Sequence, residues 1–261
     1  MHFYGPFDRY PLPADTTRRS AEALLPAYRE VQKRLGLERV VVVQPAGYRY
    51  DNTVTMANVE AIGETARAIV VVPLGTPEAE LERLTKAGAR GLRVFMLDGG
   101  VYDWAELPEL AAMVRPFGWH LQLQLDGREL IERLDLIESL NIQLVIDHTG
   151  KFLEPVEPDH PAFHCLRHLV QEGAFVKLSA PYETSKVGPP TYDDIGLLAK
   201  ILVKEAPDRM LWATNWPHPG HFPKDEAMLL DTLLDWAPDP HTQRLILKDN
   251  PARLYGFPRH A

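Results

Sequence analysis

The chain has 261 residues, 45% of them hydrophobic and 25% charged, with a formal net charge of −8. That is a globular composition long enough for one large core, and with no basic run it excludes nucleic acid or an anionic membrane surface as a partner. One cysteine, Cys165, excludes an intrachain disulfide and a cysteine metal cluster; no apolar run spans a membrane and no signal-peptide pattern opens the chain, so the cytoplasm is the default compartment.

Two kinds of segment alternate along the chain. Short apolar, mostly β-branched runs fall at 40–43, 68–72, 91–97, 121–125, 144–146, 175–178 and 210–213. Between and around them lie stretches of helical periodicity at 19–35, 52–64, 78–87, 104–114, 128–140, 161–172, 192–205 and 225–236. Continuous apolar strands alternating with amphipathic helices predict parallel strands buried on both faces. No linker or composition break interrupts the series, so residues 1–261 read as one domain. The Pro-rich patches at 153–161 and 187–190 fall where strand-to-helix loops belong.

The expected fold class is α/β, a TIM (β/α)8 barrel. Such a barrel needs eight strands, and seven are evident. The missing strand is the first, for which only Met1-His2-Phe3-Tyr4 stands before the turn at Gly5-Pro6. The sequence therefore reads as a barrel with a truncated first strand, and a few native residues before Met1 are expected; an open, incomplete barrel is the alternative.

In a barrel of this kind the active site lies at the C-terminal ends of the strands. Read in order, those ends carry His2, Gln44, the Pro73 region, Gln124, His148, Ser179 and Asn215, with Arg93 inside the run at 91–97. Arg93 requires a partner in the interior, either a substrate carboxylate or an acid such as Asp98. Tyr48 and Arg49, on the loop after the run at 40–43, are candidate substrate contacts or plain surface residues. Gln122 and Gln124 share one strand face, with Gln124 nearer the mouth. Lys177 is expected in a buried ion pair, and Asp147 is expected to orient a neighbour. His160, His164 and His168 recur every four residues on one helix, but no acidic or cysteine partner converges on them, which argues against a metal site there.

Several motifs resemble a known family. They are the segment from His2 to Leu12, Val145-Ile146-Asp147-His148-Thr149-Gly150, Leu211-Trp212-Ala213-Thr214-Asn215-Trp216-Pro217-His218-Pro219, and the segment from Asp249 to Phe257. Together they resemble the amidohydrolase-related family, in the branch of 2-pyrone-4,6-dicarboxylate lactonase and galactarolactone isomerase. The resemblance implies a TIM barrel, a hydrolase-like site and action on lactones without a divalent metal. It also implies two departures. The family opens with Asp-x-His-x-His, of which His2 matches the second histidine and the first is absent. The last strand usually ends in Asp, where this chain has Asn215. A carboxamide cannot take a proton from water as a carboxylate can.

The expected catalytic residues are His148, donating a hydrogen bond to a lactone carbonyl; His2, as a second donor or else a frayed terminal residue; and Asn215, orienting water or a substrate hydroxyl. Arg93, Gln124, Tyr48, Arg49, Tyr182 and His218 are the expected substrate contacts. Relatives acting on dicarboxylates tend to carry arginine where this chain has Glu183, so the loop 181–185 points to a polyhydroxylated sugar-acid lactone. No cofactor is expected, a divalent metal being the less favoured alternative. The partner is a small lactone or carboxylate; the oligomeric state is open. The leading activity is hydrolysis of a cyclic ester. Lactone isomerisation by intramolecular acyl transfer is an alternative, and so is an inactive barrel that binds a small acid.

Overall fold

The structure is a computed structural model describing residues 1–221 and 224–258. Seven strands follow one another in chain order in one sheet. They are β1 (Val40–Val43), β2 (Ala66–Val70), β3 (Ala89–Phe95), β4 (His120–Gln124), β5 (Leu144–Ile146), β6 (Phe175–Leu178) and β7 (Met210–Trp212). Helices α1 (Leu25–Leu35), α2 (Thr53–Ile62), α3 (Glu78–Lys86), α4 (Leu107–Val114), α5 (Leu130–Ser139), α6 (Pro161–Gln171), α7 (Asp193–Glu205) and α8 (Glu226–Trp236) alternate with them, and α9 (Pro240–Arg244) and α10 (Asn250–Tyr255) close the series. The strands at 144–146 and 175–178 coincide with the sequence reading; β2 and β3 begin two residues early.

The helix expected over 19–35 is shorter. Pro26 sits in its first turn, where a missing N–H costs nothing. Upstream, Ala23 forms an antiparallel bridge with Tyr4, which holds that stretch extended. Among the described residues, the first strand expected at 1–4 forms no regular strand; Tyr4 makes only an isolated bridge.

The chain divides into two compact units, Met1–Gln122 with Asn215–Ala227, and Leu123–Thr214 with Met228–Ala261. In the first, β1 pairs in parallel with β2, and β2 with β3 through a register shift at Ala68/Ile69. Residues 1–4 lie against β1: Val43 N–H donates to Met1 O at 2.9 Å, while His2 N–H donates to Trp216 O at 2.8 Å. The terminal segment is therefore tied on both sides and does not fray. Phe3, Tyr28 and Trp216 pack edge-on and tilted around it.

In the second unit, β5, β6 and β7 pair in parallel, with Ile146 opposite Val176 and Lys177 opposite Leu211. One step beyond Ile146 this register sets Asp147 beside Lys177. Their side chains meet at 3.1 Å, both almost fully buried. The ion pair expected for Lys177 is thus formed, and Asp147 is its partner. The C-terminal helix is fixed by Asn250, whose Nδ2 donates to Pro207 O and Met210 O. Burial, with the Asp147 charge, pushes the Tyr255 hydroxyl far above its ordinary range.

A buried pair of this kind is costly to break from one side, because the remaining charge is stranded. Lys177→Met is expected to lower unfolding stability by about 3–5 kcal/mol in urea titrations, and Lys177→Met combined with Asp147→Leu to recover much of that loss.

Candidate functional site

Backbone strain is concentrated after the strands. Arg49 follows β1; His148, Thr149 and Lys151 follow β5; Ala180 follows β6; Asn215 and His218 follow β7; all adopt positive φ. Among the described residues, Asn141 and Tyr192 are the other non-glycine cases. Left-handed backbone is costly for residues with a Cβ, most of all for β-branched Thr149, and it collects where side chains must be aimed. Gly150 completes the turn after β5: its φ is +88°, and an added Cβ would stand 2.8 Å from Leu166 and Phe152.

In the second unit this turn presents His148. Its Nδ1 lies 3.0 Å from Ser179 Oγ, just past β6. Its Nε2 lies 3.9 Å from Glu183 Oε1. A carboxylate facing Nε2 favours a proton there, so Ser179 is assigned as hydroxyl donor to Nδ1. Glu183 Oε2 is paired with the Lys151 ammonium. Lys151 and Glu183 are largely buried, at 8% and 12% side-chain exposure. Lys151 was not singled out from sequence; its place one residue after Gly150, in a turn already marked by His148, was the available signal. Tyr182 stands beside Glu183 in the short 3-10 turn Pro181–Glu183 and is half-buried.

In the first unit, His2 is buried, and its Nδ1 bonds Val43 O at 2.9 Å. A carbonyl only accepts, so Nδ1 carries the proton and a neutral His2 presents a lone pair at Nε2. In this tautomer a neutral His2 receives a hydrogen bond at Nε2 and donates a second one only as imidazolium. Arg93 is buried, donating from Nη1 to Gln44 O at 2.7 Å and stacking 4.9 Å over Phe95. Asp98, named as its alternative partner, instead offers its backbone carbonyl to Arg18 Nε at 2.7 Å. Tyr4 lies near enough for its hydroxyl to feel Arg93; burial nevertheless raises that hydroxyl to about 12.

Asn215 is buried after β7, with its carbonyl accepting from His218 N–H at 2.8 Å. His218 is also buried, and its Nε2 stands 3.3 Å from Glu226 Oε1. Burial works to raise the Glu226 carboxyl, but the hydrogen bond and charge of His218 outweigh it and hold the group below its ordinary value. Tyr48 is fully buried; its hydroxyl accepts from Gly5 N–H and donates to Tyr10 O, which assigns it to holding the segment 5–10. Arg49 is half-exposed and paired with Asp15 at 2.7 Å. Gln124 ends β4, buried. His160, His164 and His168 go separate ways: His160 caps α6, His164 neighbours Arg167, and His168 bonds Glu138.

Parallel strands ending in strained turns that hold buried histidines fit an α/β enzyme scaffold. The chain matches the amidohydrolase family over residues 1–257 and belongs to that family. It is 32% identical to a D-galactarolactone isomerase of Agrobacterium fabrum over 234 residues, 87% of this chain and 80% of that protein. It is 31% identical to a 2-pyrone-4,6-dicarboxylate hydrolase of Comamonas testosteroni, covering 97% of this chain and 88% of that one. An apo crystal structure of an Agrobacterium tumefaciens protein superposes with a TM-score of 0.93 at 31% identity, over 99% of this chain and 94% of the other.

A carboxylate whose value is depressed in the fold stabilises it above the unfolded value, and that contribution drains as pH falls through the folded value. Glu226→Gln is therefore expected to lower the melting temperature at pH 7. The difference from the parent protein is expected to shrink between about pH 5 and 3, followed by circular dichroism.

Proposed function

We propose that this protein is an enzyme that opens the cyclic ester of a small carboxylic or sugar acid. The observation that carries the proposal is His148: a buried imidazole at the end of β5 with Nδ1 3.0 Å from Ser179 Oγ, a contact that supports placing its proton on Nε2. That proton donates to the lactone carbonyl oxygen and stabilises the oxyanion that forms when an oxygen nucleophile adds to the carbonyl carbon. The kinship with an isomerase and a hydrolase of lactone-type substrates supports the same chemistry.

The remaining roles are assigned residue by residue. Arg93 holds a substrate carboxylate, and its buried, oriented guanidinium supports this. Gln124, Tyr182 and His2 are assigned to substrate polar groups, His2 as an acceptor. Asn215 binds a hydroxyl. His218, already engaged with Glu226, is assigned to holding the Asn215 turn. Tyr48 and Arg49 are assigned to the N-terminal segment rather than to substrate.

Hydrolysis is the leading reaction. Isomerisation is favoured by one observation, the carboxamide at Asn215: a hydroxyl of the substrate itself sits at high effective molarity and needs less activation than water. We further propose that the reaction runs without a divalent metal, since Gln124 and Asn215 offer carboxamides at strand ends. Among the described residues no group of three or more His, Cys, Asp or Glu is placed to hold an ion. Residues 1–261 are taken as one domain, supported by the family match over 1–257. An eight-stranded barrel is proposed with residues 1–4 in the place of the first strand, supported by their bonds to Val43 and Trp216. No helix among the described residues is long and apolar enough to cross a membrane; cytoplasmic location remains our proposal.

The test is a panel of sugar-acid lactones and pyrones in ¹⁸O-labelled water with product identification. Hydrolysis places one solvent oxygen in the product and isomerisation places none; no turnover across the panel refutes the proposal. His148→Ala is expected to lower kcat/KM by roughly 10²–10³-fold, and Ser179→Ala by about 10-fold.

A further inference from the structure

Attack on a lactone carbonyl by an O–H group needs somewhere to put the proton. Asn215 cannot take it, because a carboxamide is not a base at neutral pH. The buried or largely buried carboxylates of the second unit narrow the choice. Asp147 is committed to Lys177 at 3.1 Å. Asp126 is held by Arg128 through both its oxygens. Glu183 differs: one oxygen pairs with Lys151, while the other faces the His148 imidazole at 3.9 Å. That separation is longer than a direct hydrogen bond, and it sets the carboxylate beside the imidazole at the end of β5.

We infer that Glu183 is the proton-transferring carboxylate of this enzyme and that Lys151 keeps it ionised. This rests on the lactone reading above. The attacking oxygen, of a substrate hydroxyl or of water, forms a bond to the carbonyl carbon while its proton passes to Glu183 Oε1. The carbonyl π pair moves to the oxygen held by His148 Nε2–H. When that pair returns, the ring C–O bond breaks, and the departing alkoxide takes the proton back from Glu183. The carboxylate is restored and no other reactant is consumed; with water as nucleophile the new acid then ionises to solvent. Lys151 has two effects. A buried carboxylate without a cation is driven towards its protonated, non-basic form, and the ammonium opposes this. It also offsets the negative charge that would otherwise repel the developing oxyanion. From the turn after β5, Lys151 and His148 face Glu183. Further along its own loop, Lys186 is turned to Glu154, and Asp194 of α7 is taken up by Ser185 and the Lys186 N–H.

The experiment is steady-state kinetics across pH 4–9 on the best lactone of the panel. It uses the full chain and Glu183→Gln, Glu183→Asp and Lys151→Met variants, with circular dichroism to establish folding. Glu183→Gln is expected to lose roughly 10²–10⁴-fold in kcat, with KM changed only a few-fold, and to lose the acid limb of the kcat/KM profile. Glu183→Asp, which keeps the charge opposite Lys151, is expected to retain that limb at reduced rate. Lys151→Met is expected to move it to higher pH. A folded Glu183→Gln enzyme within threefold of the parent, with its acid limb intact, overturns the assignment alone. So does an acid limb that survives in Glu183→Gln and disappears in His2→Asn. A parent enzyme inactive on every lactone overturns the assignment together with the reading beneath it.

Discussion

A parallel strand covered on both faces has no solvent side, so each polar group it carries must be paired within the interior or pushed to its end. Both outcomes occur within two residues of each other here. Lys177, inside β6, is neutralised by Asp147 because the register of β5 and β6 sets the two side by side. His148, the next residue along, is past the end of its strand and enters a left-handed turn. The ion pair forms one residue past the end of β5, immediately before the turn that begins at His148. His148, Thr149 and Lys151 follow directly on it, all with positive φ.

The same division of labour holds in the first unit. Tyr48 and the Val43 carbonyl hold the first ten residues, and this makes His2 a placed group rather than a loose end. A bond to a carbonyl also decides which nitrogen keeps the proton. Two histidines with similar burial are therefore assigned opposite tautomers: His148 with its proton on Nε2, and a neutral His2 with its proton on Nδ1.

The order of strands and helices was legible in the sequence because parallel strands buried on both faces read as unbroken apolar runs. Val145 and Val176 belong to such runs, and they were bounded to the residue. The ends of helices were less legible: the bridge between Tyr4 and Ala23 that shortens α1 joins residues far apart in the chain, and no local pattern announces it. The place of His148 just past its strand was legible from the sequence. The partners that define its chemistry were only half so. Ser179 and Glu183 lie on another strand's loop, and the meeting of Lys151 with Glu183 spans 32 residues. Tyr48 was less legible for a related reason: a tyrosine after a strand reads as a ligand contact or a surface residue, and the Gly5 amide and Tyr10 carbonyl that its hydroxyl bonds lie far away in the chain.

The charge pair at positions 151 and 183 constrains how this chain can change over generations. Reversing one sign, as with an arginine at 183, leaves two cations facing each other in a space with little water. Removing one member strands the other. Descendants that reverse the charge at one position are therefore expected to change the other as well. A lineage that carries this pair is expected to keep or to exchange the two residues together.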